Sequence, residues 1–352
     1  MIDTNGPEMS APYRPESGAE ASAPETQVLT HAHAQAQLQS WLELEVHQLG
    51  AGAYQGHCTH YGAGRTRLVH ERQNRLIHKT GILPKNTCTI SFALGSDPLK
   101  RFSHFLDPEP LTFLLPEQTE FDILVPAQVE TLYICLEQDR LLAAVRTLSP
   151  RFWERPLRGL HGFNTPETGR LVKGLLGLFN PEVNAGLSAR TQSLLLDSIA
   201  LALNQATEVL NCDSLKYRAR QRAVHRVKRA RDFIDASLQA EQIPSMVELC
   251  AHTGCSARTL QYAFHEVMQM TPMVYLRTLR LNRVRSALQN TASTDTRVTQ
   301  VATRWGFFHL GEFARDYQRL FGERPSETLA GSDAAISLHF CANPIGTPPQ
   351  NP

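Results

Sequence analysis

Two stretches of this chain, about 52 residues apart, carry nearly the same pattern, and that duplication limits its fold more than any other feature. Ser245 and Glu248 are spaced as a capping box, in which each side chain satisfies an orphan amide at a helix start. Gly254 then supplies a turn and Ser256 is placed to cap a second helix. On that helix Leu260, Phe264 and Val267 fall at i, i+4 and i+7, along one face. The segment from Thr296 to Pro325 repeats the plan. Val301 and Ala302 stand for Leu249 and Cys250, Gly306 for Gly254, Phe313 and Tyr317 for Leu260 and Phe264, and Pro325 for Pro272. The spacing predicts an all-α C-terminal domain with two helix-turn-helix units.

In such a unit the core-facing stripe fixes the second helix as a rod, and the opposite stripe is free to enter a major groove. That free stripe reads Arg258, Gln261 and Tyr262 in the first unit and Glu312, Arg315 and Arg319 in the second. Leu310 and Gly311 complete the candidate DNA-binding set. Arginine suits guanine, glutamine suits adenine, and glutamate accepts a hydrogen bond from cytosine N4. Glu312 also has a plainer reading, an i+3 pair with Arg315 on a solvated face, worth a few tenths of a kcal/mol. Between the units, Thr271 and Pro272 form an N-cap and first-turn proline. They open a helix to about Gln289 whose buried side is Tyr275, Leu276, Leu279 and Val284. About 18 residues at ~1.5 Å each make a strut of ~27 Å. With the units at its ends, it sets two recognition helices about one turn of DNA apart, ~34 Å.

The segments "CAHTGCSARTLQYAF", "YLRTLRLNRVRSAL" and "WGFFHLGEFARDYQRLFGERPSETL" resemble the DNA-binding domain of AraC/XylS-family bacterial transcription regulators, over roughly Val224 to Leu329. One departure is Gln269, where the family usually has glycine after the first recognition helix. The wording "CSARTLQYAFHEV", "RLNRVRSAL" and, more loosely, "GAYQGHCTHYGAGRTRLVHERQNRLIHKTGILP" is most like the ethanolamine-operon regulators. The resemblance implies a cupin-like or jelly-roll sensor with a helical dimerisation segment ahead of the DNA reader. It implies as partners promoter DNA, RNA polymerase, a small-molecule effector and a second copy of the chain, with activation the expected outcome.

Charge agrees with the motif. The formal net charge of +1 hides an asymmetry: residues 222–330 hold 15 Lys+Arg against 10 Asp+Glu. The basic region is the one that must face phosphates. Ahead of it, Leu42, Leu44 and Val46 alternate with Glu43, Glu45 and His47. Apolar runs recur at Leu111–Leu115, Phe121–Val125 and Leu132–Leu136, punctuated by Gly and Pro, as short strands of a sandwich or barrel do. From Glu137 the pattern turns helical, with stripes at Leu171, Leu175 and Leu178 and at Leu194, Leu195, Ile199 and Leu203. The domains expected are a disordered arm over 1–27, rich in Pro, Ala, Ser, Glu and Thr, a sensing and dimerisation domain over 28–210, a linker over 211–222, the DNA-binding domain over 223–330 and a flexible tail over 331–352.

No cofactor and no metal site are expected. His57, Cys58 and His60 are the nearest thing to a metal cluster, but on a strand Cys58 and His60 face opposite to His57. The seven cysteines show no CxxC pair and read as reduced thiols of a cytoplasmic protein. No stretch reads as a signal peptide or a membrane span. The rival to a ligand-responsive regulator is a bifunctional protein whose N-terminal domain is enzymatic or accepts an alkyl group on a cysteine. Cys58, Cys88 and Cys135 lack the neighbouring cation that a nucleophilic thiol needs. No catalytic residue is therefore assigned and the chain is read as not an enzyme. A constitutive DNA binder is the third reading, and it leaves about a hundred β-rich residues without a role.

Overall fold

The computed structural model describes residues 24–331 apart from 64, 95–100, 104, 107–111, 155–156, 158, 180–186, 211–216 and 291–296. The arm over 1–23 and the tail over 332–352 lie outside the described residues. Order begins earlier than the arm expected over 1–27 implied, because β1 (Glu25–Leu29) hydrogen-bonds to a later strand along its whole length.

After α1 (His33–Leu38) the chain runs through β2 (Glu43–Gln48), β3 (Gly56–Ala63), β4 (Thr66–Gln73), β5 (Ile77–Ile82) and β6 (Thr87–Leu94). The short β7 (Arg101–Phe102) and β8 (Phe105–Leu106) follow, then β9 (Thr112–Leu115), β10 (Glu120–Val125) and β11 (Glu130–Glu137). Next come α2 (Gln138–Leu148), α3 (Pro150–Trp153), β12 (His161–Phe163), α4 (Pro166–Leu178) and α5 (Ala189–Leu210). One sheet has the order β1-β3-β4-β11-β6-β9-β12 and the other β2-β5-β10-β7-β8, with antiparallel pairing throughout.

The larger sheet is covered on both faces, which explains why Leu132–Leu136 reads as a continuous apolar run. Tyr133 and Cys135 point to the core shared with the smaller sheet, alongside Val69, Phe113 and Leu115. Leu132, Ile134 and Leu136 point the other way, into a core with Leu141, Val145, Leu175, Ile199 and Leu203 of the helices. The helical stripes are thus largely as read, with one correction. Leu194 is 59% exposed, because Leu195 and not Leu194 shares a face with Ile199 and Leu203 at helical spacing.

The helical third consists of α6 (Tyr217–Gln239), α7 (Met246–Thr253), α8 (Ala257–Met268), α9 (Pro272–Gln289), α10 (Val298–Arg304) and α11 (Leu310–Phe321). The linker read over 211–222 is half helix, since α6 starts at Tyr217. The buried stripe Ala223, Val227, Ala230, Ile234 and Leu238 anchors this helix, and the good helix formers in "YRARQR" let it propagate backwards. The α9 strut joins two cores. Tyr275, Leu276 and Leu279 pack with α6, α7 and α8, whereas Leu281, Val284 and Leu288 pack with Phe313, Tyr317 and Phe321 of α11.

Both turns are sharp. Ser245 and Glu248 form the capping box, and Gly254 closes α7 at φ 66°. At Gly306, φ is 73° and a Cβ would fall 2.0 Å from the Ile243 side chain, so only glycine fits. Gln269 takes the left-handed conformation that the family's glycine would take, φ 60°, so the turn keeps its form in spite of the side chain. A non-glycine residue there is strained by about 1 kcal/mol. Gln269→Gly is therefore expected to stabilise the chain by up to ~1 kcal/mol, offset in part by glycine's unfolded-state entropy. A lowered melting midpoint in thermal denaturation would contradict this account.

Candidate nucleic-acid interface and the sensor cavity behind it

Ser256 accepts a hydrogen bond from the Thr259 amide (3.2 Å) and fixes the start of α8. Leu260, Phe264 and Val267 are buried, which leaves Arg258, Gln261 and Tyr262 on the open side. The Arg258 guanidinium lies 5.5 Å from the Tyr262 ring centroid and donates to its hydroxyl (3.2 Å), so the arginine is held extended along the helix. On α11, Phe313 and Tyr317 are buried while Leu310, Gly311, Glu312, Arg315 and Arg319 are exposed. Arg258, Gln261 and Tyr262 share one solvent-facing stripe of α8, and Gly311, Glu312, Arg315 and Arg319 one of α11, with Leu310 exposed to its side at the first turn.

The pairing of Glu312 differs from the plain reading of an i+3 bridge to Arg315. Its nearest cation is Arg277 of α9, at 4.0 Å, and Arg277 is held mainly by Asp316 (2.5 Å). Arg319 also pairs with Asp316 (2.8 Å). Among the described residues no carboxylate lies within 4.0 Å of Arg315. Phe308, at the turn into α11, is 75% exposed and joins this surface. Sequence reasoning missed it because "GFFH" offers two phenylalanines, of which Phe307 is taken by the core and by the Arg280 guanidinium 4.2 Å above its ring.

Several arginines of the basic region are internal struts. Arg280 Nε donates to the Trp305 carbonyl (2.7 Å), and Arg285 pairs with Glu323 (2.9 Å) and covers Phe321. Arg231 is 5% exposed. Counting charges in the sequence thus overstates the cations available to phosphates.

The β domain holds both halves of the helical third. On one side the Gln48 amide nitrogen and the Gly52 N–H donate to the Leu320 carbonyl at the end of α11, and Asn282 of α9 exchanges hydrogen bonds with the Gln48 backbone (3.0 and 2.9 Å). On the other side Asp122 of β10 accepts from Arg101 of β7, Arg231 of α6 and His78 Nε2 of β5 (2.7 Å). Arg231 Nε in turn donates to the Tyr275 hydroxyl (3.2 Å), which reaches His78 Nδ1 at 3.3 Å. Burial alone would raise the Asp122 carboxyl, but Arg101, Arg231 and His78 outweigh it and hold it well below the ordinary carboxylate range. Burial, then Arg231, pushes His78 down to about 3, so the imidazole is neutral and bridges Tyr275 to Asp122.

Strand alternation places this cluster directly behind a cavity. His78, Arg101 and Asp122 face the helical domain, while their neighbours Lys79, Phe102, Phe121 and Ile123 line a cavity between the two sheets. Much of the wall is apolar. Its polar end is a chain in which the Tyr133 hydroxyl donates to Gln39 (2.6 Å), Gln39 donates to Glu71, and Lys79 and Thr131 (3.0 Å) donate to the other Glu71 oxygen. Glu71 and Lys79 are 1% and 5% exposed. Nothing in the sequence signalled the pair as partners.

Cys58, Cys88 and Cys135 are buried, and burial pushes all three thiols up, Cys135 to about 12. That is the opposite of an activated nucleophile. Cys58 lies in the inter-sheet core, while His60 rests edge-on to Trp41 at 5.6 Å.

Residues 249–331 match the family model described as a helix-turn-helix domain. Over 103 residues the chain is 36% identical to the probable thc operon regulatory protein of Rhodococcus erythropolis, covering 29% of this chain and 30% of that protein. It is 25% identical over 238 residues to XylDLEGF operon transcriptional activator 3 of Pseudomonas putida, covering 64% of this chain and 66% of the relative. The chain thus spans less than two thirds of the length of either. A solved structure of a probable AraC family transcriptional regulator from Rhodopseudomonas palustris is 34% identical over 31% of this chain and 97% of its own, with a TM-score of 0.28.

Proposed function

We propose that the protein, whose residues 249–331 match a helix-turn-helix domain, is a sequence-specific DNA-binding transcription regulator of AraC type, an activator, whose β domain receives a small-molecule effector. The observation that carries it is the pair of exposed stripes, Arg258, Gln261 and Tyr262 on α8 and Leu310, Gly311, Glu312, Arg315 and Arg319 on α11, mounted on one strut. A single protomer then reads two successive major-groove segments. Effector occupancy acts on DNA reading through the smaller sheet, since its two faces carry the cavity and the Asp122 cluster.

Likeness in "CSARTLQYAFHEV" and "RLNRVRSAL" supports a place in the ethanolamine-operon branch. A homodimer is supported by α5, where Leu194 and Leu201, seven residues apart on one face, are 59% and 53% exposed. RNA polymerase is the second partner of an activator, and the cytoplasm its place of work. An enzymatic or alkyl-accepting N-terminal domain is set aside on the burial of its cysteines.

The test is fluorescence anisotropy of the full chain on a promoter fragment recovered by genomic selection. Log affinity is expected to fall linearly with log salt, with a slope of about −0.9 per neutralised phosphate. Salt-insensitive binding, or no enrichment of any fragment, would sink the proposal.

A further inference from the structure

We propose that the inter-sheet cavity selects an uncharged, largely apolar small molecule bearing one hydrogen-bond acceptor, and that the Glu71–Lys79 pair is the element that sets this selectivity. The inference rests on reading the β domain as the effector receiver and deepens it to a ligand class.

Leu83, Phe102, Leu115, Phe121, Ile123 and Val125 line the body of the cavity, so a matching ligand is apolar over most of its surface. The polar end carries two opposite charges that already satisfy each other. Glu71 Oε1 is taken by Gln39, and Oε2 by Lys79 and Thr131. The site is neutral as a whole. A carboxylate entering beside Lys79 would add an unbalanced charge to a water-poor space and compete with Glu71 for its partner. An ammonium group would find most of the Glu71 acceptor sites taken by Gln39, Lys79 and Thr131 and would bring a second positive charge beside Lys79. Burying a net charge of either sign is costly.

An uncharged acceptor meets no such obstacle. An ammonium has three N–H donors, and among the described residues Lys79 spends its contacts on Glu71 alone. A hydroxyl, carbonyl or ether oxygen therefore accepts from Lys79 without disturbing the pair. The Thr89 and Ser91 hydroxyls on the cavity wall offer further donors.

The experiment compares three probes of one shape and different charge, benzyl alcohol, benzoate and benzylammonium, titrated into the full chain by saturation-transfer NMR. DNA binding is measured on the same samples. Wild type is expected to bind benzyl alcohol about tenfold or more tightly than either ion. Glu71→Gln leaves Lys79 unbalanced and is expected to put benzoate ahead of benzyl alcohol. The double variant Glu71→Gln/Lys79→Met is neutral again and is expected to restore the alcohol to first place. A wild type that prefers an ion, a Glu71→Gln variant that keeps the wild-type order, or no binding of any probe overturns the inference. Should a variant fail to fold, the wild-type order decides. Absent probe binding with DNA binding intact removes this inference alone, whereas absent DNA binding removes the regulator reading.

Discussion

Asp122→Ala is expected to destabilise the protein by about 3–5 kcal/mol, because it strands two buried guanidinium groups. Arg101 and Arg231 are 0% and 5% exposed, and Asp122 is the carboxylate they share. One arginine belongs to the β domain and the other to the first helix of the DNA reader, so the loss also unfastens the two. Urea denaturation of wild type and variant measures the cost. The sign of its pH dependence follows from the lowered Asp122 carboxyl. A depressed carboxylate contributes its full stability above the unfolded value of about 3.9 and loses it only as pH falls through the folded one. The gap between wild type and Asp122→Ala should therefore stay flat from pH 8 down to about 4 and close below that. A cost under about 1 kcal/mol would show that water compensates the arginines and that the cluster does not clamp the domains.

Arg258→Ala and Arg315→Ala are each expected to lose about 1–3 kcal/mol on the cognate site and to relax specificity at one or two bases. Both side chains stand on exposed stripes, and Arg258 is held along its helix by Tyr262. The affected bases should lie in separate segments about ten base pairs apart, since each arginine belongs to a different recognition helix. Binding of each variant to a library of singly substituted sites is the measurement. Uniform weakening on every sequence would mean that the arginines touch only phosphates and that the reading face is misassigned. Glu312→Gln should change preference at a neighbouring base without disturbing the fold, because its only cation within 4.0 Å among the described residues, Arg277, keeps Asp316.

The two helix-turn-helix units were legible in the sequence almost to the residue. Their signals are local: the Ser245 and Glu248 cap, Gly254 and Gly306 at left-handed turns, Thr271 and Pro272 opening α9, and stripes spaced by the helical period. Each depends on neighbours within about a turn or two, and such short-range rules survive without knowledge of the rest of the chain. The β-rich character of the N-terminal half was legible for the same reason, through alternation in strands such as Leu42 to Val46.

What only the tertiary structure decided is which distant residues meet. Asp122 and Arg231 meet across 109 positions, and Glu71 and Lys79, though only eight apart, meet across strands of different sheets, so no local pattern encodes those partners. Leu194 and Leu195 have the same chemistry and differ only in which one packing covers, as do Phe307 and Phe308. Burial is a property of the assembled surface and not of the side chain. The duplicated motif therefore specified two helix-turn-helix units from sequence alone, while the cavity, its neutral polar end and the cluster behind it exist only once the two sheets and the helical domain are packed against one another.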